Sequence, residues 1–280
     1  MQYTAARSAV AFFMITIFAV IFPVQAQEVP VPETQTQIAI SSPSYPVTSG
    51  DVYSLSYSIG ATPVTYPIII DYSYQIRVSN MAILNVAGKT YRQLKQDVET
   101  IVSKNYPLSG PQLIMVHPGT FSVYIKGEVR RATEQTTWAM GRLSSLIGST
   151  LSEYSSIRNV TVTSANGRVK TYDLFKAQRF GDLSQDPYLR PGDVVTVSHL
   201  DRKVSVFGEV ERPDIYELLP GENIRELIHS YGGGYTSKAD ARGVELTRYM
   251  EKAETFYLTE EEINADYPLK HSDAVYVPSR

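Results

Sequence analysis

Apolar residues in this chain recur mostly at alternate positions, in short runs broken by glycine, proline and serine. After the turn Ser49-Gly50-Asp51, the run Val52-Tyr53-Ser54-Leu55-Ser56-Tyr57 alternates with period two, as a half-buried strand does. Residues 68–71, 74–78, 83–86 and 113–116 read as further strands. One stretch switches period. Tyr91, Leu94, Val98, Ile101 and Val102 fall on one face of a 3.6-residue repeat, which predicts a helix. Thr90 and Gln93 stand at capping-box spacing before it. Asn105-Tyr106-Pro107 ends it, because the residue before proline resists the helical region. Residues 47–118 therefore predict one compact β-rich module carrying one helix, closed by the turn Pro118-Gly119.

The N-terminus breaks this pattern. Residues 10–22 are apolar apart from Thr16, Arg7 precedes them, and Val24-Gln25-Ala26 places modest residues at the −3 and −1 positions of a cleavage site. This is the layout of a secretory signal peptide over residues 1–26, cut between Ala26 and Gln27. The alternative is an uncleaved anchor, for which the apolar run is short against the roughly 20 residues a membrane span needs. Residues 27–46 are rich in Pro, Ser, Thr and Gln and read as an extended linker or arm.

The remainder repeats itself. Phe121 to Val129 (FSVYIKGEV) matches Lys203 to Val210 (KVSVFGEV), with Gly127 and Gly208 81 positions apart. Leu143, Leu146 and Ile147 match Ile224, Leu227 and Ile228; Arg158-Asn159-Val160 matches Arg242-Gly243-Val244. Pro191-Gly192-Asp193 matches His271-Ser272-Asp273, each followed by a strand-like run. Each copy reads as strand, turn, strand, short helix, loop, strand, then a turn and a closing strand. That pattern suits a small mixed sheet packed on a helix, an α+β unit. Gly232-Gly233-Gly234 ends the helix of the second copy.

Composition narrows the chemistry. A net charge of −3, from 26 basic and 29 acidic residues without a basic stripe, argues against nucleic acid as a partner. The absence of Cys excludes disulfides, thiol catalysis, zinc thiolate sites and an N-terminal lipid on Cys. The 20 tyrosines suit half-buried pleated surfaces, with sugar stacking as the sharper reading. The four histidines, His117, His199, His229 and His271, have no metal-ligand spacing. Gly232 to Gly234 lacks the Lys-Ser/Thr of a phosphate loop, and Thr259 with Glu262 is a second capping box. No catalytic residue, cofactor or metal site is predicted. Glu128 and Glu209, equivalent in the repeat, read as turn acids that bond local backbone N–H groups or a nearby base, with pairing across a subunit interface or with a sugar as the sharper reading. Asp51, Asp193 and Asp273, the last two in the repeated turn that includes Gly192, read as holding turns through side-chain-to-backbone bonds.

The order of these blocks resembles the bacterial polysaccharide export family of capsule and exopolysaccharide secretion. The likeness is carried by Ser49-Gly50-Asp51 and Ala87-Gly88-Lys89-Thr90 in the first module, the Gly-Glu-Val repeats and the closing Pro-Gly-Asp. It implies an α+β fold of tandem small β-rich modules: a polysaccharide-export domain over residues 47–118, then two β-grasp (SLBB-like) domains over 119–200 and 201–280. It also implies a non-enzymatic, exported, periplasmic component associated with the outer membrane, assembled as a homo-oligomeric ring around a polysaccharide chain. With only Pro278-Ser279-Arg280 after the last strand-like run, the expectation is an adaptor without its own C-terminal membrane helix. Its further partners would be a separate outer-membrane β-barrel and an inner-membrane export protein. The competing expectation is a monomeric periplasmic carbohydrate-binding protein.

Overall fold

The computed structural model describes residues 32–249 and 252–280. The signal segment 1–26, the cleavage pair Ala26 and Gln27, and the arm up to residue 31 lie outside the described residues.

The first sheet contains β1 (Val52–Ile59), β2 (Thr62–Ile69) and β5 (Gln112–His117) in the order β2-β1-β5, all antiparallel. β3 (Gln75–Val78) and β4 (Ala82–Asn85) form a separate hairpin. The buried side of β1 carries Tyr53, Leu55 and Tyr57, which meet Leu94, Val98 and Val102 of a helix spanning Tyr91–Asn105. That helix has its full capping box: the Gln93 amide donates to Thr90 Oγ1 at 3.3 Å and the Thr90 amide to Gln93 Oε1 at 2.9 Å.

Two features depart from the sequence reading. Residues 32–46 are not an extended arm: Pro32–Ser41 is a helix, α1, with Ala39 buried, and Tyr45 is fully buried in the first core. A helix that buries so little of its surface writes almost no periodic signal. β2 begins at Thr62, ahead of the strand expected from residue 68. Pro63 and Pro67 argue against a strand in sequence, yet β2 is a sheet edge, where a missing N–H need not break a ladder. The helix Tyr91–Asn105 is α2.

Two further sheets share one topology. The second contains β6 (Thr120–Gly127), β7 (Thr133–Trp138), β8 (Ser155–Thr163), β9 (Val169–Tyr172) and β10 (Val194–His199), with α3 (Leu143–Ile147) and α4 (Leu174–Phe180) between strands. The third contains β11 (Lys203–Gly208), β12 (Asp214–Glu217), β13 (Val244–Tyr249), β14 (Ala253–Leu258) and β15 (Ala274–Val277), with a π-helical turn at Glu226–Tyr231 and α5 (Glu260–Asn264). Their orders, β7-β6-β10-β8-β9 and β12-β11-β15-β13-β14, are the same arrangement of first, second, third, fourth and last strands. In each, the first and last strands pair in parallel and the other pairs are antiparallel. A parallel pair needs a long crossover, and the helices and middle strands supply it. β9 and β14, absent from the sequence reading, are mostly exposed edge strands, so they lack the alternation that marks a buried face.

Each sheet has its own core. Val123, Ile125, Leu143, Ile147, Val160, Leu189 and Val195 are fully buried in the second; Ile224, Leu227, Ile228, Val244, Leu246, Val275 and Val277 in the third.

Candidate functional site

The residues marked by the repeat sit at matching points. Gly127 lies opposite Val197 and Gly208 opposite Val277, both with φ near +90° (+93° and +85°). A Cβ at Gly127 would collide with the Val197 carbonyl oxygen, and one at Gly208 with that of Val277. The next amide donates back across the pair: Glu128 N to Val197 O and Glu209 N to Val277 O, each at 2.8 Å. The carboxylates do not converge. Glu128 Oε2 lies 3.1 Å from His199 Nδ1, while Glu209 accepts from Thr236 Oγ1. The aspartates share one device, in which a carboxylate accepts from the amide three residues earlier. Thr48 N to Asp51 and Arg190 N to Asp193 measure 2.8 Å, and Lys270 N to Asp273 measures 2.7 Å. Gly192 precedes Asp193 with φ +83°, and Ser272 precedes Asp273 with φ +65°.

Asp51 does more than hold a turn. Fully buried, it accepts from the Tyr45 and Tyr53 hydroxyls at 2.8 Å each and from the Gly119 amide at 2.7 Å. It thus ties the first strand to the chain leaving the module. Burial pushes its carboxyl up against the pull of those bonds, and burial beside its charge raises both tyrosines. In the third sheet Asp273 also grips Arg248, Nη2 to Oδ2 at 2.7 Å and Nε to Oδ1 at 2.9 Å.

The joint between the second and third sheets centres on Arg158, whose side chain is 1% exposed. From β8 its guanidinium reaches Asp173 at 2.9 Å within its own unit. Across the joint it reaches Glu222 at 2.6 and 2.8 Å and the Glu217 carbonyl at 2.9 Å. Its Cζ lies 5.3 Å from the Phe175 ring centre and 5.0 Å from that of Tyr231. Tyr231 OH donates to Glu222 at 2.7 Å, and Arg179 Nη2 donates to the Tyr231 carbonyl at 2.9 Å. The π-helical turn, closed by Gly232 N to Leu227 O, ends on Tyr231 and so delivers that ring to the joint. Burial alone would push the Glu222 carboxyl up; the hydrogen bonds from Arg158, Tyr231 and the Leu219 amide outweigh it and hold it below the usual range. Burial pushes Glu217 up, against the bond donated by Ser156 Oγ. Arg242, which the repeat aligns with Arg158, is 85% exposed. Sequence reasoning placed Arg158 in a repeated block but had no signal for its burial.

A second feature is the outer face of the third sheet. Strand register sets Phe207, Tyr276, Glu245 and Tyr257 side by side across four strands. Their chain neighbours Val206, Val275, Val277, Val244, Leu246 and Leu258 are buried, so the four face away from the core. Phe207, Tyr276 and Tyr257 are exposed, and the Phe207 and Tyr276 ring centres lie 5.7 Å apart. Tyr276 occupies the space a side chain at Gly208 would take, with Cε2 at 2.8 Å from that Cβ position.

The histidines stay apart. His117 lines an open groove with Gln35 and Gln37 of α1; His199 meets Glu128 and stacks with Tyr154. His229 meets Tyr235 edge-on, and His271 Nδ1 accepts from the Lys203 amide. Among the described residues no cluster of three metal-ligating side chains forms, and no helix is long and apolar enough to cross a membrane.

The family comparison falls on the third sheet, from just before β11 to the end of β15. Residues 202–277 match the SLBB domain, a domain found in polysaccharide-export proteins.

Proposed function

We propose that this protein is an exported, non-enzymatic component of a polysaccharide-export apparatus. In this reading the second sheet is another SLBB domain, and the first sheet with its helices is the polysaccharide-export domain. The chain works in the periplasm beside the outer membrane, as a ring-forming adaptor around the polymer, with a separate outer-membrane barrel and an inner-membrane export protein as partners. The observation that carries it is the SLBB match over residues 202–277, together with the same strand order in the second sheet. The buried Arg158 joint supports a stiff arrangement of the two units, as a ring-building subunit requires.

The test is deletion of the gene in its native host, with surface polysaccharide quantified and the mature chain restored in trans. Loss and recovery of surface polymer are expected; unchanged polymer in the deletion strain would overturn the reading. Light scattering on the purified mature chain should give a particle of several copies, whereas a single-copy mass would favour a monomeric carbohydrate-binding protein. N-terminal sequencing of the exported protein should begin at Gln27.

A further inference from the structure

We propose that the row Phe207-Tyr276-Glu245-Tyr257 on the outer face of the third sheet is a binding platform for a neutral polysaccharide strand. The proposal rests on the export reading for its class of polymer and deepens it by naming the surface.

The two repeats supply an internal comparison. In the second sheet the matching register positions are Lys126, Thr196, Thr161 and Thr171, and that sheet keeps the same topology with a cationic and hydroxyl row. The fold therefore does not need aromatic rings at these positions. In the third sheet they are present, exposed and in line, where they gain little from burial within the chain. With neighbouring strands about 4.8 Å apart, the row spans about 14 Å, long enough for a polymer to lie along it.

The occupant follows from shape and charge. The next row along the strands is Ile215, Ser205, Ala274, Thr247 and Thr255: an exposed apolar residue at the β12 edge, then small, mostly hydroxyl-bearing residues. A line of rings one residue wide beside a hydroxyl shelf suits a ribbon with apolar C–H faces and hydroxyl edges, which describes a chain of pyranose sugars. Tyrosine provides such contact at low entropic cost, with a hydroxyl at its tip. A protein partner would need about 800 Å² on each side with a desolvated apolar centre. Here the row has Glu245 in its middle, and sealing an unpaired carboxylate under a protein is costly. Beneath a sugar, Glu245 accepts from hydroxyls and keeps water. As the one charged member of the row, it repels an acidic polymer and tolerates a neutral one.

The test is electrophoresis of the mature chain through native gels containing a mixed-linkage β-glucan, a galactomannan or polygalacturonate. Retardation is expected in at least one neutral gel and not in polygalacturonate. The double variant Phe207→Ala/Tyr257→Ala should weaken neutral binding at least about tenfold, while Lys126→Ala/Thr171→Ala leaves it unchanged. Should the alanine pair fold poorly, Phe207→Lys/Tyr257→Thr installs residues the second sheet already carries at these positions. Free migration in every neutral gel would overturn the proposal, as would full retardation of the folded double variant. A change in particle mass on the double variant would instead make this face a contact between copies, and would also overturn it. A deletion strain that still exports its polymer would defeat the export reading alone, and the gel result would stand.

Discussion

Replacing Arg158 with methionine removes the guanidinium at the centre of the joint while keeping much of its apolar stem. In the folded protein this side chain is 1% exposed and bonds to Asp173, Glu222 and the Glu217 carbonyl. Its loss leaves the Asp173 and Glu222 carboxylates, 9% and 20% exposed, without a cation, and strips the packing on Phe175 and Tyr231. Losing one partner of a buried pair costs about 3–5 kcal/mol. Glu222 lies nearer water and can take up a proton, so about 3 kcal/mol is expected, or about 10 °C in the thermal midpoint. Calorimetry on the purified chain reads this directly. A double-mutant cycle with Glu222→Gln should return a coupling of about 1–3 kcal/mol. The triple variant Arg158→Met/Asp173→Asn/Glu222→Gln should recover much of the loss, because no carboxylate is then left unpaired. Arg158→Met within about 0.5 kcal/mol of the parent, or no coupling to Glu222, would refute the account of the joint.

Three further outcomes follow from the geometry. Gly208→Ala forces a Cβ against the Val277 carbonyl at φ +85° and should cost about 3 kcal/mol in urea unfolding. Gly60→Ala, at φ +57° with open space around it, should cost about 1 kcal/mol. Ser272→Gly relieves a positive φ where the first copy already has Gly192, and should raise stability by about 0.5–1 kcal/mol on thermal melting. Glu222 has a lowered folded pKa, so its stabilisation is present above the unfolded value of 4.5 and is lost as pH falls through the folded value. The stability gap between the parent and Glu222→Gln should therefore shrink as pH falls below 4.5; a gap independent of pH would contradict the ionic role.

The sequence by itself determined what depends on local chemistry. A strand that must pass under a facing carbonyl with positive φ needs glycine, so Gly127 and Gly208 announce the repeat. The alternation of β1, the stripe and capping box of α2, and the capping box of α5 at Thr259 and Glu262 are likewise written within a few residues. Tertiary structure decided what depends on partners far along the chain. α1 has Ala39 as its buried contact, and β2 carries two prolines that only an edge tolerates. The aligned arginines 158 and 242 look alike in sequence. The first is sealed because Glu222, 64 positions on, folds over it, while the second stays exposed. The aromatic row is a product of register: Phe207 and Tyr276 meet because β11 and β15 pair in parallel. Pairing across a sheet is set by how complete cores pack, and no window of neighbouring residues contains that information.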